Sequence, residues 1–386
     1  MMEWKAAIHE YVDRLNRAES DCSGAPLETC VRDREFLLML EERLRRVKVR
    51  GDIREATPLR QETRLRITRF SEAKHEIRAE LMLRKTMLYR QGGRRFREDR
   101  LERESLVLRR EKGGWRIVTV LPDVSERAAD EQADSRPDVW QGDWRGDWQG
   151  GWAGDGGDAD GAAADPIGGM AAGGPGGGGR SGSRAPGPWG GARPQEGPRP
   201  GRPYLHPSVT PVRPIIALRG KPYVRRLAVE YADRWWDAHN PEYRAFDVDC
   251  TNYVSQCLFA GGAPMTYTGK RNSGWWYRHG NGDDWSFSWT VSNSLQWYLA
   301  GARKGLTAQR VRSASELEPG DVIFYDWDGD GHFQHSTIVT AKDANGQPLV
   351  NAHTVNSRWR YWDYRDSYAW SEQTKYRFYH ISDEFF

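Results

Sequence analysis

The chain has 386 residues, with 57 Lys and Arg against 54 Asp and Glu and a net charge of +3, a balance that excludes nucleic-acid binding driven by a basic surface. Mean hydropathy is −0.81, and no apolar run approaches the roughly 20 residues of a membrane helix, so a helical membrane span is excluded. Four cysteines in so long a chain do not make a disulfide scaffold.

Residues 1–127 are rich in Arg and Glu. The opening "MMEWKAAIHEYVDRLNRAES" predicts a charged amphipathic helix over residues 3–18 rather than an export signal, which predicts a cytoplasmic location unless export uses another route. A second helix is predicted over 31–47, with Phe36, Leu37, Leu40 and Leu44 at helical spacing. The segments "ETRLRITRF", "HEIRAELMLRKTMLYR", "ESLVLRRE" and "GWRIVTVLP" alternate like strands, and turn signals fall at 92–93 and 113–114. Two helices followed by a meander predict a separate α+β domain whose charged residues cover a solvated sheet face. Its ending "LVLRREKGGWRIVTV" is similar to the closing hairpin of nuclear-transport-factor-like domains; the sequence leaves its role open, recruitment of a protein partner being one candidate. Cys22 and Cys30 flank the helix connection without a zinc-binding pattern.

Residues 128–207 are dominated by Gly and Pro, with Trp140, Trp144, Trp148 and Trp152 recurring every fourth position. Such composition cannot bury enough apolar surface to offset backbone ordering, so a disordered linker is predicted.

Residues 208–386 return to dense, aromatic sequence. A helix is predicted over 222–238, stopped by Asn240-Pro241. In "DVDCTNYVSQC", Asp249 is a natural N-cap and Cys250 the first helical residue. Cys257, two turns inside on the apolar stripe, reads as inert core. At a helix start, free N–H groups and the dipole favour a thiolate and can stabilise a substrate oxyanion. Asp247 and Asp249 oppose that thiolate, so a histidine is required.

Downstream, "DVIFYD", "FQHSTIVTA", "PLVNAHTVN" and "KYRFYHIS" read as antiparallel strands, and a helix leading into such a meander is the layout of a papain-like half-open barrel. His335 opens the second strand and His353 lies in the third. A three- or five-residue hairpin loop centred on Ala344 would set the two histidines opposite each other, roughly 5 Å apart at Cβ. A two-residue Asn-Gly loop would instead pair His335 with Asn356. His353 is the preferred orienting group, with Asn356 as the alternative. Asp326, Asp328, Asp330 and Gly331 begin like a calcium loop, but Thr337 stands where a bidentate Glu belongs, so a solvated acidic turn is favoured and no metal or cofactor is expected. The blocks "SGWWYRHGNGDDWSFSWT" and "SRWRYWDYRDSYAW" are expected to wall a substrate groove in part.

"DCTNYVSQCLFAGG", "YADRWWDAHNPEY" and "GDVIFYDWDGDGHFQHSTIV" followed by "NAHT" resemble, in the right order, the bacterial "putative amidase domain" family, within the broad papain-like group of cell-wall amidases and endopeptidases. The resemblance covers about 208–386. It implies an α+β fold with helices packed on an antiparallel sheet, Cys250 as nucleophile, His335 as general base and acid, and His353 as orienting group. It also implies a peptide or peptidoglycan substrate cleaved through a thioester. Two alternatives stay open: a catalytically silent glycan- or peptide-binding module, and an acyltransferase using the same three residues.

Overall fold

The computed structural model describes residues 3–127, 220–280 and 282–386, so the predicted linker over 128–207 lies outside the described residues. The N-terminal part begins with helices α1 (Glu3–Asp21) and α2 (Arg34–Arg54), followed by the antiparallel meander β1 (Thr57–Ala73), β2 (Glu76–Gln91), β3 (Arg94–Glu111) and β4 (Gly114–Pro122). Asp33 starts α2: one carboxylate oxygen accepts the Phe36 amide at 3.1 Å and the other the Val120 amide of β4 at 3.0 Å. Ile8, Tyr11 and Leu15 of α1 and Phe36, Leu40 and Leu44 of α2 pack on Ile77, Leu83, Leu106 and Ile117 of the sheet. The helices and strands were legible from their periodicities, although β3 begins ten residues before the segment predicted as a strand and α2 runs about two turns past its predicted end, through Gly51 to the left-handed Glu55 (φ 54°).

The C-terminal part contains β5 (Lys221–Pro222), α3 (Arg225–Trp235), α4 (Cys250–Ala260), the hairpin β6 (Tyr277–Arg278) and β7 (Asp284–Trp285), α5 (Phe287–Thr290) and α6 (Ser292–Gly301). There follow β8 (Ala308–Val311), β9 (Val322–Asp326), β10 (His335–Lys342), β11 (Pro348–Ala352), β12 (Ser357–Tyr361), β13 (Lys375–Ile381) and β14 (Glu384–Phe385). The alternation of the strands sorts two cores. Val322, Phe324 and Ile338 face α3, α4 and α6, where they meet Ala228, Tyr253, Val254, Leu258 and Leu295. Ile323, Tyr325, Val339 and Val350 face the other way, onto Trp327 and Tyr364. The fold class is α+β, with helices on an antiparallel sheet.

Each part keeps its own apolar core, yet the two share one sheet. Strand β12 pairs with β3, through Ser357 opposite Arg100 and Arg358 opposite Asp99. The result is a ten-stranded sheet in the order β1-β2-β3-β12-β11-β10-β9-β13-β8, with β4 on β3. This corrects the expectation of a solvated charged face: Arg43, Arg50, Lys85, Glu98, Asp99, Arg100 and Glu104 are buried. Arg43 and Lys85 pair with Glu19 and Glu102, Arg50 with Asp363 and Asp366, and Arg100 with Glu98 and Asp366, whereas burial pushes the Glu104 carboxyl, hydrogen-bonded to Tyr11, up to about 7.

Asp366 is the centre of that pairing. Its carboxylate takes Arg50 on one oxygen, and Arg100 and Arg360 (the latter at 3.0 Å) on the other, while its carbonyl accepts from Arg43 Nε at 2.6 Å. Burial alone would raise its pKa, but the guanidinium groups of Arg100, Arg360, Arg50 and Arg43 outweigh burial and hold it well below the usual carboxylate range. Removing one partner from such a network leaves uncompensated buried charge. Asp366→Asn is expected to cost about 3–5 kcal/mol. Urea denaturation followed by circular dichroism measures it, and an unchanged midpoint would remove Asp366 from this role.

Candidate active site

Cys250 is the first residue of α4, and the Asp249 carbonyl accepts the Tyr253 amide at 2.9 Å, so the helix starts where the sequence predicts. The Asp249 side chain does not cap it. Its Oδ1 accepts from Asn252 Nδ2 at 2.9 Å and from the Phe246 amide at 3.3 Å. Its Oδ2 faces His353 Nδ1 at 2.6 Å and His239 Nδ1 at 3.3 Å. Burial pushes the Asp249 carboxyl upward, but hydrogen bonds from His239 and His353, the charge of His353 and the Asn252 amide bring it below its ordinary value. His353 is also held by the Trp235 carbonyl on Nε2 at 2.7 Å, and its ring stacks on Tyr253 at 4.0 Å.

The Cys250 thiol is sealed, with 1% of the residue exposed. Burial raises its pKa more than its surroundings lower it; these are the Ser336 backbone and the hydroxyls of Thr251, Ser336 and Thr354. Thr251 Oγ1 lies 3.7 Å from the sulfur and 3.0 Å from Ser336 Oγ. Thr354, whose hydroxyl also accepts the Asp249 amide at 3.2 Å, has φ 82°, an uncommon conformation for a β-branched residue. Cys257 is fully buried in the helical core, and burial pushes its thiol well above the ordinary range.

The structure brings Cys250 between Ser336 and Thr354, the residues that follow the two predicted histidines. It does not bring the histidines together. Asp343 N donates to Gln347 O at 2.8 Å and Lys342 pairs with Pro348, so the hairpin has a three-residue loop centred on Asn345, not Ala344. Gly346 supplies the left-handed residue with φ 73°. A bulge at Thr340 shifts the ladder again, and beyond it Ile338 pairs with Asn351 and Val339 with Val350. The ladder stops at Ile338 and Asn351 and β11 ends at Ala352, so His353 stands in the turn beyond the strand expected to carry it, while His335 faces the aromatic core. Asn356 lies in the turn before β12, where its carbonyl accepts the Leu101 amide of β3 at 2.8 Å.

His335 is therefore packed among aromatic rings, with centroids of Tyr364, Tyr325 and Trp327 at 5.4, 5.5 and 5.9 Å. Neither ring nitrogen has a hydrogen-bond partner, and burial, aided by the Arg360 charge, drives its pKa down to about 3. Neither His335 nor His353 hydrogen-bonds the Cys250 sulfur.

Two site residues escaped the sequence analysis. His239 sits just past α3, beside the helix-breaking Asn240-Pro241, and nothing in its own context marked it. Asp249 was read as a cap and an opposing charge, whereas it holds two imidazoles. In the acidic loop, both oxygens of Asp326 are taken by the amides of Gly329 and Gly331, at 2.7 and 2.9 Å. Asp330 accepts the His332 amide at 2.8 Å, and Asp328 faces Arg127 at 3.6 Å. The aromatic blocks are mainly core: Trp275, Trp276 and Trp289 are fully buried.

Residues 222–379 match the family described as "Putative amidase domain". Two proteins of Bacillus subtilis (strain 168) are similar to this chain. "Uncharacterized protein YhbB" is 52% identical over 162 residues, covering 42% of this chain and 51% of its own length. "Uncharacterized protein YjcM" is 30% identical over 152 residues, covering 37% of this chain and 33% of its own. The chain thus spans about half the length of the first relative and a third of the second. Among solved structures, the intermembrane space region of chloroplast protein ARC6 aligns with 32% of this chain and 96% of its own, at 12% identity and a TM-score of 0.24, too low to carry an argument. Residues 222–379, with helices on an antiparallel sheet and a cysteine opening a buried helix, are thus similar to the "Putative amidase domain" family.

Proposed function

We propose that this domain is a cysteine amidohydrolase that cleaves an amide of a peptide through a thioester. The observation that carries the reading is the buried Asp249–His353 pair, whose Asp249 directly precedes Cys250 at the start of α4. Asp249 would hold the Nδ1 hydrogen of His353 and fix the ring. His353 Nε2, which here donates its hydrogen to the Trp235 carbonyl, would have to give up that contact and that proton before it takes the thiol proton. Sulfur then adds to the carbonyl carbon, with the free N–H groups of α4 facing the oxyanion. Collapse breaks the C–N bond, the amine leaves with the proton from His353, and water hydrolyses the thioester. His335, neutral and enclosed by rings, takes no part in this scheme, which moves the acid–base role from His335 to His353.

An open groove of about 520 Å³ borders the site through Trp235. Its lining of Tyr231, Arg234, Asn240 and Glu242 mixes rings, charge and amide groups, as suits a peptide backbone with ionic side chains. Stem peptides of peptidoglycan are such substrates, and digesting purified peptidoglycan with product analysis by mass is the direct test. The sealed thiol would equally suit a silent binding module, and turnover of any peptide amide separates the two readings.

Cys250→Ser is expected to keep the fold and abolish turnover, whereas Cys257→Ser lowers the melting temperature and retains it. Equal losses would sink Cys250 as nucleophile. His353→Ala should slow acylation by about 10- to 10⁴-fold, as loss of an essential acid–base or orienting group does. His335→Leu should spare it, and the reverse ranking in single-turnover kinetics would return the base to His335.

His335 also yields a pH signature. Its folded pKa of about 3 lies below the ordinary 6.5, so its contribution to stability is complete above pH 6.5 and is lost as pH falls toward 3. Wild type should therefore lose stability relative to His335→Leu over that window. Parallel stability–pH curves would show that His335 is not buried as described.

A further inference from the structure

The three groups around Asp249 form a ligand set as well as a proton relay. His239, Asp249 and His353 offer ligand atoms that all lie within 4.8 Å of one another. We propose that they bind one divalent transition-metal ion, Zn²⁺ foremost, through His239 Nδ1, His353 Nδ1 and Asp249 Oδ2.

Two linked features of the surroundings, both involving the Trp235 carbonyl, fit a metal. The first is the arrangement around His353. The Trp235 carbonyl can only accept, so Nε2 carries the hydrogen there, and Nδ1 is left facing a carboxylate oxygen at 2.6 Å. Two lone pairs at that distance repel, so a positive species must lie between them, either a proton or a metal ion. The second is the outer layer. Metal-bound imidazoles usually donate their other N–H to a carbonyl, and metal-bound carboxylates have their free oxygen hydrogen-bonded. Here Trp235 O serves His353, while Asn252 Nδ2 and the Phe246 amide serve Asp249 Oδ1 and leave Oδ2 for the ion.

The dimensions suit zinc. Bonds of about 2.0–2.1 Å in a tetrahedron put ligand atoms roughly 3.3 Å apart. His239 Nδ1 already stands 3.3 Å from Asp249 Oδ2, His353 Nδ1 at 2.6 Å has to retreat by about 0.7 Å, and the ligand atoms, spread over up to 4.8 Å, have to close in on the ion. His239 has 46% of its side chain exposed, which leaves an entry path and room for a water ligand. Arg103 of β3 is the positive group closest to matter here, since it already opposes protonation of His239 and would weaken a cation in the same way.

A bound ion would occupy the place of the proton that Asp249 and His353 share. Resting on the cysteine reading, the ion is an inhibitor: with Nδ1 on the metal, His353 cannot serve Cys250.

The test titrates Zn²⁺ alone into the full chain by calorimetry, beside the Cys250→Ser and His239→Ala variants. One ion per chain, retained in Cys250→Ser and weakened by at least about 100-fold in His239→Ala, supports the site. No binding to wild type, or equal binding to His239→Ala, overturns it. Zn²⁺ inhibition of peptide cleavage that His239→Ala relieves supports the inhibitory role. Stimulation by Zn²⁺ overturns that role, and cleavage persisting in Cys250→Ser overturns the thiol reading while the titration still decides the site. His239 is half exposed, so its substitution does not threaten folding.

Discussion

A single buried carboxylate sets the geometry of the site. Asp249 ends the loop that leaves α3, starts α4 and closes on the far end of β11, so one side chain fastens three elements that sequence keeps far apart. It can remain charged in the interior because four hydrogen bonds converge on it, from His239, His353, Asn252 and Phe246. An unpaired carboxylate there would be strongly disfavoured. Because its contacts are directional, it fixes the His353 ring in plane and in orientation, with Tyr253 stacked on one side. Cys250 inherits its place from that arrangement, as the next residue along the chain.

The same physics operates at larger scale between the two halves. A continuous sheet makes β3 and β12 neighbours, and this brings many charges into the interior at once. Arg43, Arg50, Arg100 and Arg360 are gathered by Asp366, and Lys85 and Arg43 by Glu19 and Glu102. Buried ion pairs contribute little net stability but punish mispairing, so such a layer specifies how the halves meet. The N-terminal part also reaches toward the site. Arg84 of β2 pairs with Asp237 at 3.0 Å and covers the Trp236 ring, and Arg103 is close enough to His239 to affect its protonation.

The closed state of the thiol follows from these contacts. Cys250 is ringed by hydroxyls rather than cations, and burial favours the neutral thiol. The open groove is lined by Trp235, whose carbonyl holds His353, and the thiol itself stays sealed behind it. Among the described residues no helix is long and apolar enough to cross a membrane.

The sequence by itself determined what depends on local periodicity and local stereochemistry. The helix pair and meander of the first part, the helix opening at Cys250, the burial of Cys257 and the strand opening at His335 follow from apolar spacing and turn residues acting over a few positions. Tertiary structure decided everything that hinges on register and on long-range pairing. A loop centred one residue later, on Asn345, a bulge at Thr340 and the end of β11 at Ala352 together removed the pairing expected between His335 and His353, because a one-residue shift changes which side chains share a face. No local signal distinguishes those loops. His239 reached Asp249 only because α3 and α4 pack side by side, and the charges of the first domain were buried only because another sheet edge met β3. Burial of a charge is a property of its distant partners, and those are chosen by the fold.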